Sequence, residues 1–122
     1  MGGKRERRRT PRIPIYIKVD YKVDLRRDDA PYSDYSANIN RDGLFLRSDR
    51  PLAPGTLLNL QFALPEDSRV IKVNGRVVWI TRDLEERVGG RWEPGMGIEF
   101  EDVGPEVREL IDRLVERWRR AN

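Results

Sequence analysis

The stretch that decides the fold is IPIYIKVDYKV, residues 13–23, in which one set of alternate positions is apolar or aromatic throughout. The positions between them include Lys18, Asp20 and Lys22. Successive side chains of a strand point to opposite faces of a sheet, so a period of two predicts one buried and one solvated face. We therefore expect a long, half-buried strand over residues 13–23.

Further alternating stretches follow and predict an all-β body. They are residues 36–40, which pass through an Asp42-Gly43 turn into 44–46, then 58–64, 71–79 and 96–100. The constant parity of 71–79 favours one continuous strand, with Trp79 in the core, although Asn74-Gly75 is also a common hairpin turn. Several short strands in 122 residues predict an antiparallel barrel or sandwich.

The end of the chain changes period and predicts one helix over about 105–120. Its apolar residues recur at intervals of three and four: Val107, Leu110, Ile111, Leu114, Val115 and Trp118. Pro105 suits the first helical position, and Arg119 and Arg120 complement the negative end of the helix dipole. We expect this helix to cover the barrel or to offer a partner surface.

The composition excludes most familiar enzyme chemistries. The chain has no Cys and no His, so thiolate nucleophiles, disulfides, Cys/His zinc sites and Ser-His-Asp triads are absent. No phosphate-binding GxxxxGK[ST] string occurs either. We expect a protein that is not an enzyme and that needs no metal or other cofactor.

The charge is concentrated in an N-terminal arm, residues 1–12. Six basic residues stand there against Glu6, a net charge of +5, whereas the whole chain carries only +3. Guanidinium groups match phosphate oxygens and also the O6 and N7 acceptors of guanine. The arm alone is compatible with a solvated terminus, with nucleic acid or with a discrete anionic ligand, and composition does not choose among them.

No apolar run approaches the roughly 20 residues of a membrane span, and no apolar signal-peptide segment follows the arginines. We therefore expect a soluble, cytoplasmic protein without a membrane span.

Two stretches of the sequence resemble motifs of a known family. ERRRTPRIPI, residues 6–15, is similar to the RxxxR segment that leads into the first barrel strand of PilZ domains, and ANINRDGLFLRS, residues 37–48, is similar to that family's [Asp/Asn]-x-Ser-x-x-Gly motif. The resemblance continues in order through residues 51–65, GRVVWI, MGIEF and the closing helix. It implies a six-stranded antiparallel β-barrel with an added helix over 13–122, which agrees with the periodicity.

The resemblance implies a receptor for cyclic di-GMP, a bacterial second messenger. The residues that match the family's binding motifs are Arg8, Arg12, Asn38, Asn40 and Gly43. The arginines would hold phosphate and the Hoogsteen edge of guanine, Asn38 would hydrogen-bond the base, and Gly43 would allow a close approach of the backbone. The arm would then change conformation and signal to an unidentified partner protein.

Two features modify this expectation. Asn40 replaces the family's Ser with a longer amide, which takes more space near the ligand and leaves open a degenerate PilZ adaptor that binds a protein without nucleotide. Arg7 and Arg9 add cations beside Arg8, and in similar arms an Arg at position 7 accompanies a ligand bound as an intercalated dimer. Nucleic acid is the less favoured partner of the arm.

Overall fold

The computed structural model describes residues 12–23, 30–65, 67–81 and 94–121. They form seven strands and one helix. The elements are β1 (Ile13–Pro14), β2 (Lys18–Lys22), β3 (Tyr32–Asn40), β4 (Gly43–Arg47), β5 (Leu57–Ala63), β6 (Val70–Thr81), β7 (Gly95–Glu101) and α1 (Pro105–Ala121). The predicted arm, apart from Arg12, lies outside the described residues, as does most of the loop between β6 and β7.

The strands close into a six-stranded antiparallel barrel. The order β3-β2-β5-β6-β7-β4 returns to β3 through the β3–β4 hairpin. Both β1 and β2 pair with β3 along the edge that β4 does not use, so they are two parts of one interrupted barrel strand. The fold predicted from the sequence, an antiparallel barrel with a C-terminal helix, is confirmed.

The interruption between β1 and β2 is held by a buried serine. The hydroxyl of Ser36 accepts a hydrogen bond from the Ile17 amide at 3.0 Å and donates one to the Ile15 carbonyl at 2.7 Å. The β3–β4 pairing shifts register between Ser36 and Asn38, as it does at a β-bulge. Ser36 therefore satisfies backbone groups that regular pairing would otherwise satisfy.

The core fills the barrel and extends to one face of α1. Inward residues such as Val19, Ile39 and Ile98 are completely shielded from solvent, and Ile111, Leu114 and Val115 of α1 are buried with them. Burial of one such side chain contributes about 1.5–3 kcal/mol. The helix thus lies against the barrel, next to β1 and β3.

The β3–β4 turn differs from its prediction by one residue. Asn40 pairs with Gly43, so Arg41 and Asp42 form the turn and Gly43 is the first residue of β4. Gly43 is required for another reason: a Cβ there would overlap the carbonyl oxygen of Ile98 on β7. The glycine therefore permits the close contact of β4 with β7.

Strand β6 confirms one prediction and corrects another. It is continuous through Asn74-Gly75, which is not a hairpin turn. Its pairing with β7 shifts register between Val77 and Trp79, so the alternation is reversed beyond the shift. Trp79, predicted to be in the core, is 45% exposed on the outer face.

Substitution of Gly43 by alanine should destabilise the fold by about 2–3 kcal/mol, because the added methyl group forces β4 away from β7. Gly104→Ala is the matched control, since a Cβ there meets no atom within 4 Å. Urea unfolding of both variants measures the difference. Equal stabilities for the two would contradict the packing argument.

Tyr21 should make stability depend on alkaline pH. Its side chain is buried, and desolvation, followed by its hydroxyl's 2.7 Å hydrogen bond to Asp34, raises the pKa of Tyr21 far above its ordinary value. In the unfolded chain Tyr21 ionises near pH 10, whereas in the folded chain it does not. The contribution of the neutral Tyr21 to the free energy of unfolding is therefore complete below about pH 10. It should then fall by about 1.4 kcal/mol per pH unit until the folded tyrosine ionises.

Urea unfolding of the wild type and Tyr21→Phe at several pH values up to 11 tests this. The variant should lack the added alkaline loss. Identical pH profiles would show that Tyr21 ionises equally in both states.

Candidate functional site

The predicted site residues that the structure describes lie together on the outer wall of the barrel, beside the β3–β4 hairpin. Pro14 pairs with Asn38 and Ile13 with Ile39, which brings Arg12 alongside Asn40. Buried Ile39 points into the core, so Asn38 and Asn40 point outward on either side of it. Arg12, Asn38, Asn40 and Gly43 thus form one cluster, although Arg12 is 26 residues distant from Asn38 along the chain.

Arg12 and Asn38 are in direct contact. The Nη1 atom of Arg12 donates a hydrogen bond to Oδ1 of Asn38 at 3.3 Å. Burial lowers the pKa of Arg12, and the carboxylates of Asp42 and Glu99 oppose this by favouring its charged form. Arginine nevertheless remains protonated in proteins. The site therefore contains a partly desolvated cation with carboxylates near it.

Asn40 stabilises its own hairpin. Its Oδ1 accepts hydrogen bonds from the amides of Asp42 at 2.8 Å and Gly43 at 3.1 Å, and the residue is buried. Asn side chains commonly bond the backbone two residues ahead in this way. The amide that replaces the motif's serine thus directs its oxygen to the turn.

The hairpin is also joined to the helix. Arg41 donates to both carboxylate oxygens of Asp112 on α1, from Nε at 3.1 Å and from Nη2 at 2.7 Å. This ion pair raises the pKa of Arg41. A two-point contact of this kind fixes orientation as well as distance. The turn between Asn40 and Gly43 therefore has a defined position relative to α1.

An aromatic surface beside Asn38 was missed by the sequence analysis. Asn38 pairs with Phe45, Phe45 with Gly97, and Gly97 with Trp79, so the four residues form one row across the outer wall. The rings of Phe45 and Trp79 are stacked, with centroids 5.3 Å apart and planes 27° apart. We call these two rings the aromatic shelf.

Gly97 makes the shelf possible, because a Cβ there would overlap the indole of Trp79. In the sequence, Trp79 has the same parity as the buried residues of β6, which predicts a core position. The register shift after Val77 reverses this alternation and turns Trp79 outward. Because bulges have no reliable signature in a single sequence, this signal pointed to the core.

Arg7, Arg8 and Arg9 lie outside the described residues, so their predicted roles remain predictions. Within the described part of the chain, no helix is long and apolar enough to cross a membrane. The same residues contain no group of three acidic side chains placed to hold a metal ion.

A cleft among the described residues lies elsewhere. It has a volume of about 460 Å³ and crosses the outer faces of β2, β5 and β6, where Lys22, Asn59 and Lys72 are among its lining residues. It shares no residue with the Arg12 cluster. Volume alone gives no chemical reason to prefer it over a cluster that combines a desolvated arginine, amides and aromatic rings.

Comparison with protein families settles the classification. The family model described as PilZ domain matches residues 6–117, which is most of the chain. The chain belongs to the PilZ domain family. The match includes both sequence motifs, RxxxR and the Asn38–Gly43 segment.

Solved structures agree with this classification. The PilZ domain with c-di-GMP of YcgR from Escherichia coli superposes with a TM-score of 0.68 at 18% identity, covering 94% of this chain and 93% of that one. The PilZ domain of CeSA from a cellulose-synthesizing bacterium gives 0.56 at 18%, covering 90% and 99%. No curated protein matches the chain.

The Bacillus subtilis inhibitor of motility (MotI/DgrA) gives a TM-score of 0.73 at 17% identity. The match covers 91% of this chain but only 50% of the inhibitor, so the PilZ chain spans half the length of that protein. At such identities these likenesses establish the fold alone.

Asn40→Ala should destabilise the PilZ fold by about 2 kcal/mol, because two backbone amides lose their acceptor. Asn40→Ser should lose less, since a serine hydroxyl can bond the turn more weakly. Thermal or urea unfolding of the two variants measures this order. A serine variant as unstable as the alanine variant would show that the turn contacts are not what Asn40 contributes.

Proposed function

We propose that this PilZ domain is a non-enzymatic receptor for cyclic di-GMP. The observation that carries the proposal is the hydrogen bond between Arg12 and Asn38, which joins one residue from each binding motif on the outer wall. Membership of the PilZ family supports it, as does the likeness to a YcgR domain described with c-di-GMP. The site residues are Arg8, Arg12, Asn38, Asn40 and Gly43, with Arg7 and Arg9 assisting.

The chemistry of the cluster suits this ligand. A guanidinium donates two hydrogen bonds at once, either to phosphate oxygens or to O6 and N7 of guanine. The Asn38 amide can both donate and accept at a base edge. Because Arg12 is already half-buried, little further desolvation is needed for it to bind. Its 3.3 Å bond to Asn38 can be exchanged for ligand contacts.

The aromatic shelf adds a stacking surface next to Asn38. Trp79 is half-exposed and stacks on Phe45, which is buried, so the exposed face available to a base is that of the indole. Base–aromatic stacking contributes about 1–3 kcal/mol per base. We include Trp79 in the site, as the residue on which a guanine stacks.

In this proposal, the N-terminal arm transmits nucleotide binding to a partner protein. Arg8 and Arg12 bind the nucleotide together, the arm changes conformation, and the altered surface is recognised by a partner protein in the cytoplasm. Arg7 favours a ligand bound as an intercalated dimer. The fixed position of the hairpin relative to α1, through Arg41 and Asp112, gives the arm a rigid surface to bind against.

One observation favours a second function. The Asn40 oxygen is engaged by its own turn, so that acceptor is not offered to a ligand. A degenerate PilZ adaptor that binds a partner without nucleotide is consistent with this. If the adaptor function is correct, the wild type should not bind cyclic di-GMP, and Asn40→Ser should create or greatly strengthen binding.

Titration calorimetry with cyclic di-GMP tests the receptor function. The wild type should bind at micromolar concentrations. Arg12→Ala should weaken binding by tenfold or more, because charge-assisted hydrogen bonds contribute about 1.5–3 kcal/mol each. Arg119→Ala is the matched control: it removes the same charge from the exposed face of α1 and should change affinity less than twofold.

Three results would contradict the proposal: no heat of binding, equal affinity for Arg12→Ala and the wild type, or equal weakening by Arg119→Ala. A steep salt dependence with no preference for guanine nucleotides would indicate nucleic acid instead. The number of nucleotides per site follows from the stoichiometry of the same titration.

A further inference from the structure

We propose that Glu99 recognises guanine at this site by accepting hydrogen bonds from its N1–H and 2-amino group. The inference rests on the proposed function and adds a residue that neither binding motif contains. Glu99 lies on β7, two strands from Asn40, in the segment MGIEF.

Strand pairing places Glu99 in the row of the Arg12 cluster. Glu99 pairs with Gly43, and Gly43 pairs with Asn40 in the hairpin. Its neighbours Ile98 and Phe100 are buried in the core, so the Glu99 side chain points outward and is exposed. Gly43 contributes no side chain between Glu99 and Asn40. The carboxylate therefore shares an open surface with the cluster.

Glu99 also adjoins the aromatic shelf. Gly97, over which Trp79 lies, is two residues earlier on the same outward face of β7. A base stacked on Trp79 would therefore lie beside the segment of β7 that carries Glu99. Asp42, the other carboxylate near Arg12, is in the turn beyond Asn40 and does not adjoin the shelf. The geometry therefore selects Glu99 over Asp42.

Within the part of the chain that the structure describes, the Glu99 carboxylate is open to a ligand. Arg76, which pairs with Glu99 across the strands, donates from Nε to Glu101 at 2.8 Å instead. Within the described residues, Glu99 has neither a hydrogen-bond partner nor an ion pair within 4 Å. Its electrostatic neighbour is Arg12. The described residues of the site thus offer a guanidinium and a carboxylate on one surface.

Guanine needs both groups. Its Hoogsteen edge presents two acceptors, O6 and N7, which suit Arg12. Its Watson–Crick edge presents two adjacent donors, N1–H and the 2-amino group, which suit an ionised carboxylate that accepts through both oxygens. Asn38, a neutral amide, cannot accept through two charged oxygens. Glu99 supplies this missing acceptor.

The sign of the mutational effect separates this role from simple electrostatics. Cyclic di-GMP carries two negative charges, so a nearby carboxylate that makes no contact repels it, and removal of that carboxylate should strengthen binding. A carboxylate that accepts from the base must have the opposite effect. We expect Glu99→Gln to weaken binding of cyclic di-GMP about tenfold, close to 1.4 kcal/mol.

Glu101→Gln is the matched control. It removes a carboxylate two residues along the same outward face, one that is paired with Arg76, and should leave affinity unchanged or slightly higher. The inosine analogue of cyclic di-GMP, which lacks the 2-amino group, gives a second measurement. The wild type should bind this analogue more weakly than it binds cyclic di-GMP. Because the analogue lacks one of the two donors, Glu99→Gln should weaken binding of the analogue, relative to the wild type, by less than the tenfold expected for cyclic di-GMP.

Calorimetry with both ligands, after thermal unfolding has shown that each variant is folded, decides the matter. If the wild type binds and Glu99→Gln binds equally or more tightly, the role of Glu99 is overturned while the receptor function stands. If the wild type does not bind, both fail. If Glu99→Gln is unfolded, Glu99→Asp is measured instead, and unchanged affinity there together with unchanged discrimination of the inosine analogue overturns the proposal.

Discussion

The close contact of two strands at Gly43 is the constraint on which the barrel and the site both depend. A side chain at this position would overlap the Ile98 carbonyl, so glycine at residue 43 allows β4 to pair closely with β7. Since β4 also pairs with β3, this contact closes the barrel. The same missing side chain leaves open the surface between Asn40 and Glu99. Barrel closure and the open outer surface beside it thus have one physical cause.

The alternation of the sequence predicted the barrel because most of its strands have one buried face. Residues 13–23 show how far this goes. The period of two correctly places Ile13, Ile17, Val19 and Tyr21 in the core, but Val23, beyond the end of β2, is exposed. Alternation does not reveal where a strand gains an extra residue. The interruption at Ser36 and the register shift before Trp79 depend on tertiary hydrogen bonding, and they decide which side chains meet outside the barrel.

The candidate site, like the fold, was predictable from the sequence only in part. Resemblance to the PilZ motifs suggested that Arg12 and Asn38 belong to one site. The structure places Nη1 of Arg12 3.3 Å from Oδ1 of Asn38, although the two residues are 26 positions apart in the sequence. The orientation of Asn40 was not predictable, because an amide can face a ligand or its own turn and the choice depends on backbone geometry. Phe45, Trp79 and Glu99 match no position of the two binding motifs and become neighbours only through strand pairing.

The charge distribution acquires a more specific meaning from this arrangement. The arm carries +5, which by itself fits any polyanion. Beside Arg12, however, the outer wall presents Asp42 and Glu99, and carboxylates are unfavourable next to a surface that binds phosphates alone. A wall with a guanidinium, carboxylates and stacked rings instead suits a flat ligand with acceptors on one edge and donors on another. In the proposed receptor, the arm supplies attraction for the phosphates and the wall supplies selection of the base.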